Sequence, residues 1–337
     1  MRAVGYQTAH SLDGDHSLRD LELPMPEATG HDILVEVRAV SVNPVDTKVR
    51  MNRSAEGDDP VVLGWDASGV VKAVGAHVSL FAPGDEVYYA GVINRTGTNA
   101  EYHLVDERIV AKKPRSLGFA EAAALPLTAI TAYEALFDRL RVADPVPGKH
   151  KTLLIIGAAG GVGSIAVQIA RAMTDLTVIG TASRPESRDW VKGLGAHHVI
   201  DHSGDLAAQL SELNVDAPGF VFSTTHTDQH IPAIAAAIAP QGRFALIDDP
   251  ATLDIKPFKQ KAVSVHWEFM FTRPLFATAD MIEQHKLLTK IADLVDDGTL
   301  RTTLQETLGP INAANIKEAH RKLESHATIG KLVLEGF

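Results

Sequence analysis

The sequence predicts a two-domain α/β protein in which a mainly β region precedes a doubly wound parallel sheet. Short strand-like runs, punctuated by glycine and proline, fill roughly the first 125 residues, as they do in compact barrels. From residue 152 onward, strand-like and helix-like segments alternate, which is typical of a parallel sheet covered by helices on both faces. The length of 337 residues suits two domains of ordinary size.

In the β region, short apolar runs are separated by turn signals. We predict strands at 33–40 and 69–75, and a turn at 83–86 that leads into a strand at 87–89. Residues 119–140 are rich in alanine with helical spacing, and this helical pattern is broken at Pro126.

The alternating region supplies the parallel sheet. Its predicted strands lie at 152–156, 176–181, 198–200, 219–223, 242–247 and 263–269, and the helices between them at 162–173, 186–194, 206–213 and 231–238. Two further helices near 276–297 and 312–324 and a strand at 331–334 complete the chain. Strands that alternate with helices in this way indicate a parallel sheet.

Composition excludes several classes of function. Asp and Glu outnumber Lys and Arg by 42 to 32, a net charge of −10, which disfavours nucleic acid as a partner. The absence of cysteine excludes disulfides, iron–sulfur clusters, a thiolate nucleophile and cysteine-ligated zinc. The N-terminus lacks the apolar stretch of a signal peptide, and glycines interrupt the uncharged run 152–170, so we expect a cytoplasmic protein that does not span a membrane.

A glycine-rich turn stands between the first strand and the first helix of the alternating region. The glycines are Gly157, Gly160, Gly161 and Gly163. Glycine lets the backbone turn tightly and approach a pyrophosphate, while the following helix N-terminus offers free N–H groups. Because the strand precedes the turn and the helix follows it, the pattern predicts a dinucleotide site rather than a purely structural turn.

The residues after the second predicted strand indicate which dinucleotide binds. NAD sites place Asp or Glu there, about 20 residues after the loop, to bind the ribose 2′-hydroxyl. This chain has Ser183 and Arg184 instead, with Arg188 one turn further on. Hydroxyl and guanidinium groups suit a 2′-phosphate, which favours NADP(H) over NAD(H). The alternative is that the arginines only form a solvated surface.

Motifs spread over the whole chain are typical of one superfamily. They are the segments 41–46 (SVNPVD), 64–71 (GWDASGVV), 84–87 (GDEV), 99–102 (NAEY), 125–133 (LPLTAITAY), 159–163 (AGGVG), 194–196 (LGA) and 242–243 (GR). Together they resemble the medium-chain dehydrogenase/reductase superfamily, in its quinone oxidoreductase branch, and more narrowly the zinc-type alcohol dehydrogenase-like proteins.

The resemblance implies a particular architecture. A discontinuous GroES-like β-barrel catalytic domain would comprise 1–125 and 274–337, and a Rossmann nucleotide-binding domain would comprise 126–273. The nicotinamide would lie in the cleft between them, and a homodimer would form through the edge of the Rossmann sheet. His266 and Trp267 on the last strand of that sheet would then line either the pocket or the dimer interface.

The resemblance also bears on zinc. Zinc-dependent relatives carry a cysteine at the position of Asn43 and a His–Glu pair at the positions of Trp65 and Asp66. A catalytic zinc needs three protein ligands from Cys, His or carboxylate, so we expect no bound zinc. His226 and His230 are spaced like two ligands on one helix face, but they have no evident third partner, and we expect no metal role for them.

Four residues are the predicted catalytic set: Asn43, Asp46, Lys48 and Trp65. In relatives the loop that carries the first three faces the nicotinamide, which makes Asn43 the candidate donor to an acceptor carbonyl, while Trp65 would wall the pocket. The alternative is structural, with Asn43 in a turn and Asp46 at a helix N-cap. Tyr88 and Tyr89 are either core or pocket-lining residues.

The predicted cofactor-binding set extends beyond the glycine loop. Its members are Thr131, Gly157, Gly160, Gly161, Val162, Gly163, Ser183, Arg184, Arg188, His202 and Ser223. His202 is included because relatives place a tyrosine there, on the side of the adenosine 2′-phosphate.

These features predict a zinc-independent, NADPH-dependent oxidoreductase. Without a metal to polarise a carbonyl, the resemblance favours quinones and α,β-unsaturated carbonyls as hydride acceptors over simple alcohols. One alternative is a zinc-binding alcohol dehydrogenase. Another, from a different class, is a non-catalytic NADPH-binding protein. We expect a small-molecule substrate and neither a nucleic-acid nor a membrane partner.

Overall fold

A computed structural model describes residues 1–12, 18–148 and 150–337. The chain divides into two compact units: unit 1 comprises Met1–Ile130 with Phe271–Phe337, and unit 2 comprises Thr131–Met270. The first boundary falls inside a helix, Pro126–Tyr133. The prediction placed this boundary at Pro126, where the helical pattern breaks. The observed boundary lies within the helix, where the sequence has no turn signal.

Sixteen strands are present in the described residues. Those of unit 1 are β1 (Arg2–Tyr6), β2 (Arg19–Glu22), β3 (Asp32–Ser41), β4 (Val61–Val62), β5 (Ala67–Val74), β6 (Glu86–Tyr89), β7 (Tyr102–Asp106), β8 (Val110–Lys112), β15 (Leu304–Thr307) and β16 (Lys331–Glu335). Those of unit 2 are β9 (Thr152–Ile156), β10 (Thr177–Thr181), β11 (His198–Ile200), β12 (Phe220–Ser223), β13 (Arg243–Leu246) and β14 (Ser264–Trp267).

Ten α-helices accompany these strands in the described residues. They are α1 (Pro44–Asn52), α2 (Phe119–Ala123), α3 (Pro126–Tyr133), α4 (Gly161–Met173), α5 (Pro185–Gly193), α6 (Leu206–Glu212), α7 (Thr227–Ala237), α8 (Thr272–Leu275), α9 (Glu283–Asp296) and α10 (Ala313–Glu324). A π-helical segment, Glu134–Arg139, continues α3, and short 3₁₀ turns lie at Glu107–Ile109 and Lys256–Lys261.

Unit 1 is built around the long strand β3. Its main sheet has the order β15-β16-β3-β5-β6-β8, β7 also pairs with β3, and a smaller sheet has the order β2-β1-β4. Alternate residues of β3, including Ile33, Val35 and Val37, are buried, as expected for a strand with one face on a core. Strand β16 runs antiparallel to β3, so its beginning, Lys331, lies beside the loop that follows β3.

Unit 2 is a six-stranded parallel sheet of order β11-β10-β9-β12-β13-β14, which confirms the predicted doubly wound sheet. The chain proceeds from β9 outward to β11 and then returns to place β12 on the other side of β9. The carboxyl ends of β9 and β12 therefore flank the topological switch point, where ligands bind in folds of this kind. Its core is aliphatic and aromatic, with Leu154, Val221 and Phe244 almost completely buried.

Two predicted helices are corrected by the structure. The helix predicted over 276–297 does not begin at residue 276, because α8 ends at Leu275 and Ala277 adopts a left-handed φ of 45°. The next helix, α9, begins only at Glu283. The helix predicted over 231–238 begins four residues earlier, at Thr227, because its first turn is polar and lacks the apolar spacing that marks a buried helix.

In the described residues, no helix has the length and apolar character needed to cross a bilayer.

Candidate functional site

The glycine loop of unit 2 lies at the switch point of the sheet. Strand β9 ends at Ile156, and Gly157 turns the backbone with a left-handed φ of 77°. A side chain at Gly157 would place its Cβ 2.5 Å from the Thr224 hydroxyl, and one at Gly163 would place its Cβ 2.4 Å from the Gly157 carbonyl oxygen. Packing within the protein therefore excludes side chains at both positions.

Gly160 differs from these two glycines. A Cβ added there would meet only the Gly157 carbonyl oxygen, at an ordinary contact distance of 3.6 Å. Gly160 is also the N-cap of α4, so the unpaired amides of the first helical turn, at Gly161, Val162 and Gly163, lie next to this open space. An open space beside a helix N-terminus fits the pyrophosphate of a dinucleotide.

The end of β10 lies beside this loop. Thr181, the last residue of the strand, accepts a hydrogen bond on its hydroxyl from the Gly157 amide (3.0 Å). Ser183, Arg184 and Arg188 follow on the surface, and the Arg188 amide donates to the Arg184 carbonyl oxygen (2.9 Å), so the two arginines lie one turn apart. No carboxylate occurs between Thr181 and Arg184, so the position that NAD sites give to an acid holds a hydroxyl and a cation.

The remaining predicted cofactor residues have different surroundings. His202 follows β11, and its Nδ1 lies 3.1 Å from the Thr181 hydroxyl. Ser223 ends β12 and is fully buried, with its hydroxyl 2.7 Å from that of Thr227, which in turn donates to Asp248. Thr131 is buried in α3. The structure thus brings the glycine loop, the β10 end and His202 together, while the Ser223 hydroxyl is already used inside the protein.

In unit 1, a buried lysine organises the region predicted to be catalytic. The Lys331 side chain is 3% exposed, and its ammonium donates to three acceptors, which matches its three hydrogens. They are the Val42 carbonyl oxygen (2.8 Å), the Asn43 side-chain oxygen and the Asp66 carboxylate (3.0 Å). We call Asn43, Asp66 and Lys331 the buried lysine network.

Asp66 is the anion of the buried lysine network. One carboxylate oxygen accepts from Lys331 and from the Asn43 amide nitrogen Nδ2 (2.8 Å), and the other accepts from the Leu127 amide (2.7 Å). Burial raises the pKa of Asp66 and lowers the pKa of Lys331, and the opposite charge of the partner is the main counterweight in both cases. Three donors around the Asp66 carboxylate and three acceptors around Lys331 support the ionised pair.

Asn43 is held on both sides of its amide. Its Oδ1 accepts from Lys331, while its Nδ2 donates to Asp66 and more weakly to the Ser41 carbonyl oxygen at 3.4 Å. Its side chain is buried. That Asn43 donates a hydrogen bond to the carbonyl oxygen of the substrate therefore stays a prediction. In that role its Nδ2 would exchange the weak contact with the Ser41 carbonyl oxygen for a hydrogen bond to the substrate.

Asp46 is the N3 residue of α1 and accepts a hydrogen bond from the amide of Asn43, the N-cap (2.7 Å). The alternative that Asp46 itself forms the N-cap is therefore wrong by one helical turn. Its other oxygen, Oδ1, has no hydrogen-bond partner among the described residues. Burial, above all, raises the pKa of Asp46 to about 7. Lys48, in the same helix, is exposed.

The aromatic candidates of unit 1 are mostly core residues. Trp65 is 1% exposed, donates from Nε1 to the Val92 carbonyl oxygen (3.1 Å) and packs edge-on against Phe271. Tyr88 and Tyr89 are fully buried; Tyr89 stacks on His103, and each tyrosine hydroxyl has a hydrogen-bond partner. Of the two interpretations open for these tyrosines, the structure supports the core.

Sequence reasoning missed the buried charges. Asp66 and Lys331 had signals, because each is a charged residue next to an apolar strand segment, but their pairing joins positions far apart in the chain. Unit 2 holds another missed pair, Glu134 on the π-helical segment and Glu268 after β14, both buried. Arg139 donates from Nε to Glu268 (2.8 Å), yet burial and the neighbouring Glu134 raise the pKa of Glu268 to about 9.

Comparison with known proteins agrees with this architecture. The family model for the alcohol dehydrogenase GroES-like domain matches residues 29–115, and the model for a zinc-binding dehydrogenase matches 194–334. A zinc-type alcohol dehydrogenase-like protein of Staphylococcus epidermidis is 40% identical over 337 residues, with 99% of each chain covered.

Two solved structures share the whole fold. One, from Rhizobium etli, is named a candidate zinc-dependent alcohol dehydrogenase; it is 64% identical, with a TM-score of 0.98 over 100% of this chain and 98% of that one. The quinone oxidoreductase of Pseudomonas syringae is 26% identical, with a TM-score of 0.83 over 99% of each chain.

A GroES-like unit joined to a dinucleotide-binding parallel sheet defines an oxidoreductase of the medium-chain dehydrogenase/reductase type. Because the 40% identical relative matches over 99% of each chain, this chain belongs to the medium-chain dehydrogenase/reductase superfamily, among its zinc-type alcohol dehydrogenase-like proteins. The resemblance seen in the sequence is therefore confirmed.

Proposed function

We propose that this oxidoreductase is a zinc-independent reductase that transfers hydride from NADPH to a quinone or an α,β-unsaturated carbonyl compound. The observation that carries the proposal is the open space over Gly160, at the N-terminus of α4 and next to a β10 end that holds Ser183 and Arg184 in place of an acid. The bound cofactor would supply the hydride, and the protein would supply binding and orientation.

The choice of NADPH rests on charge at the β10 end. A 2′-phosphate there would meet the Ser183 hydroxyl and the guanidinium groups of Arg184 and Arg188, all of which are exposed. Guanidinium groups bind phosphate through paired hydrogen bonds, whereas the 2′-hydroxyl of NADH would find no carboxylate. These three residues therefore favour NADPH, and NADH would lack the carboxylate that usually binds its 2′-hydroxyl.

The side chains at the positions of the expected zinc ligands do not suit a catalytic zinc. The two positions that would correspond to a cysteine and a histidine ligand hold Asn43 and Trp65, and the structure gives both side chains other partners. Asp66, beside them, neutralises Lys331. In the part of the chain that the structure describes, no group of three or more His, Asp or Glu side chains is arranged to hold a metal ion.

This absence of a fitting ligand set guides the choice of acceptor. A simple ketone or alcohol gains most from a Lewis acid at its oxygen, whereas quinones and enones accept hydride more readily. The Pseudomonas syringae relative carries the name of a quinone oxidoreductase. We keep Asn43, Asp46, Lys48 and Trp65 as the proposed acceptor-side residues of unit 1, and Lys48 is the exposed member of that set.

We also propose that the protein forms a homodimer through the edge of the unit 2 sheet. Strand β14 ends the sheet order, so its outer edge has unpaired backbone groups that a second copy can extend. Trp267, the last residue of β14, and Phe269, two residues further on, are 54% and 45% exposed, and a second copy on this edge would cover them. Sedimentation of the wild type and of Trp267→Glu tests this, with a dimer that becomes monomeric as the expected result.

A matched assay tests the function. NADPH oxidation is followed with a panel of quinones, enones and simple aldehydes, using protein made without a metal-binding tag and treated with a chelator. Turnover of quinones or enones that survives the chelator supports the proposal, and Gly160→Val serves as the control that should abolish it. Stoichiometric zinc with chelator-sensitive alcohol oxidation would instead identify a zinc alcohol dehydrogenase, and NADPH binding without any turnover a non-catalytic protein.

A further inference from the structure

Three histidines, His202, His226 and His230, lie at the carboxyl edge of the unit 2 sheet, and we call them the imidazole cluster. His202 follows β11, His226 immediately precedes α7, and His230 lies in the first turns of that helix. The rings of His202 and His230 are 6.0 Å apart between centroids, at an angle of 70°. His226 Nδ1 lies 2.7 Å from the Thr225 hydroxyl, and a charge on His226 lowers the pKa of both other histidines.

The position of the cluster relates it to the glycine loop. The Thr181 hydroxyl links the two, because it accepts from the Gly157 amide (3.0 Å) and lies 3.1 Å from His202 Nδ1. His202 belongs to the β10–β11 side of β9, whereas His230 belongs to the helix that follows β12 on the other side. The cluster thus lies at the end of the sheet where a dinucleotide crosses the switch point.

The charged groups around the cluster are mostly engaged elsewhere. Asp201 accepts from the amide and the hydroxyl of Ser203 (2.8 and 2.7 Å), and Asp248 accepts from the amide and the hydroxyl of Thr227 (2.8 and 2.5 Å). Asp228, in the first turn of α7, raises the pKa of His230. Arg188, on α5, lowers the pKa of Asp201.

The balance of these groups favours the neutral form of His202 and of His230. Burial, first of all, lowers the pKa of His202 and of His230. Asp201 partly offsets this for the pKa of His202, whereas His202 and His226 lower the pKa of His230 further. A phosphate dianion placed against the rings would reverse this balance, since an adjacent negative charge favours imidazolium.

We propose that the imidazole cluster recognises the 2′-phosphate of the cofactor by taking up a proton when the phosphate binds. The ligand chemistry is an adenosine 2′-phosphomonoester, and the inference rests on the proposed use of NADPH. By linkage, a group that gains a proton on binding strengthens binding as the pH falls. Preference for the phosphorylated cofactor therefore increases from about pH 8 to about pH 6, in the range where imidazoles titrate.

The test compares two probes by isothermal titration calorimetry: adenosine 2′,5′-bisphosphate, which carries the 2′-phosphate, and AMP, which lacks it. The measured quantity is the ratio of their dissociation constants at about pH 8 and about pH 6. We expect the ratio in favour of the 2′-phosphate to rise about tenfold or more, the equivalent of about 1.4 kcal/mol, in the wild type. The second ionisation of the phosphate near pH 6 is common to all variants and cancels in their comparison.

Variants locate the effect. His202→Gln and His230→Gln should keep their affinity for AMP and lose most of the pH dependence of the ratio. His202→Arg should hold the ratio high at both pH values, because its charge is fixed. His77→Gln, an exposed histidine of unit 1, is the matched control and should behave like the wild type.

The outcomes separate the two proposals. If neither probe binds, the proposed dinucleotide site of unit 2 is wrong. If both bind and the ratio favours the 2′-phosphate equally at both pH values, NADPH use stands and the imidazole cluster has no part in it. Glutamine variants that retain the full pH dependence would overturn the inference in the same way.

Discussion

Replacing Lys331 by methionine tests whether the buried lysine network is an ionised pair on which unit 1 depends. Methionine preserves much of the length and apolar stem of lysine but removes the ammonium and its three hydrogen bonds. Asp66 then stays buried with no cation, and Asn43 loses the partner of its Oδ1. Breaking a buried pair by removal of one partner costs about 3–5 kcal/mol, so a loss of that size in the free energy of unfolding is expected.

The assay can isolate unit 1. Trp65 is its only tryptophan, since Trp190 and Trp267, the other two, belong to unit 2. In a Trp190→Phe/Trp267→Phe background, urea unfolding followed by tryptophan fluorescence reports on the surroundings of Trp65, and the Lys331→Met transition should move to much lower urea. The control is Lys72→Met, which removes a lysine that is 44% exposed and paired with Glu36; exposed pairs are worth about 1 kcal/mol or less.

A second substitution tests the charge itself. Asp66→Asn added to Lys331→Met removes the stranded carboxylate, and the double variant should recover part of the lost stability, because a neutral amide costs less to bury than an unpaired anion. Two results would refute the ion-pair interpretation. One is a Lys331→Met protein as stable as Lys72→Met. The other is a double variant whose loss of unfolding free energy equals the sum of the losses of its two single variants.

Three further predictions address the nucleotide site and a buried acid. Gly160→Val should abolish NADPH binding and leave the urea transition unchanged, whereas Gly163→Ala should lower stability. The reason is that a Cβ would lie only 2.4 Å from the Gly157 carbonyl oxygen at Gly163 but at an ordinary 3.6 Å at Gly160; equal destabilisation by both would contradict this placement. Arg184→Asp should weaken NADPH binding by about 1.5–3 kcal/mol, the value of a charged hydrogen bond, with NADH hardly affected, and fluorescence titrations that show unchanged NADPH affinity would reject the assignment. Because the pKa of Glu268 is raised from 4.5 to about 9, its contribution to stability is fully present below about pH 4.5 and decreases toward pH 9. Glu268→Gln should therefore gain stability relative to the wild type as the pH rises through that interval, and urea midpoints that differ by the same amount at every pH would disprove it.

The features that the sequence revealed are local ones. Strand β9 was placed at its observed bounds because its five residues are uniformly apolar and stop at Gly157, and the glycine loop was recognised because a strand precedes it and a helix follows it. The superfamily was found because its motifs are spread over the whole chain. These signals need no knowledge of which distant segments meet in space.

The features that the sequence did not reveal depend on distant contacts. Lys331 pairs with Asp66 only because β16 runs antiparallel to β3, which brings the last strand beside the loop before α1. The start of α7 at Thr227 lacks apolar spacing, so periodicity gives no indication of it. The helical spacing of residues 119–140 does cover Glu134–Arg139, but it does not distinguish a π-helical segment from an α-helix. The imidazole cluster joins residues on opposite sides of β9, an arrangement that only the sheet order creates.

The central claim, hydride transfer from NADPH without zinc, is tested most directly by isotope transfer. Metal-depleted protein is incubated with an enone and with NADPH that carries deuterium at the transferable position of the nicotinamide, one face at a time, and the product is analysed by mass spectrometry. We predict one deuterium in the saturated product from one face only, at an unchanged rate after chelation, and much less product with NADH. Deuterium transfer that disappears on chelation and returns with added zinc, or that is as efficient from NADH, would contradict the claim.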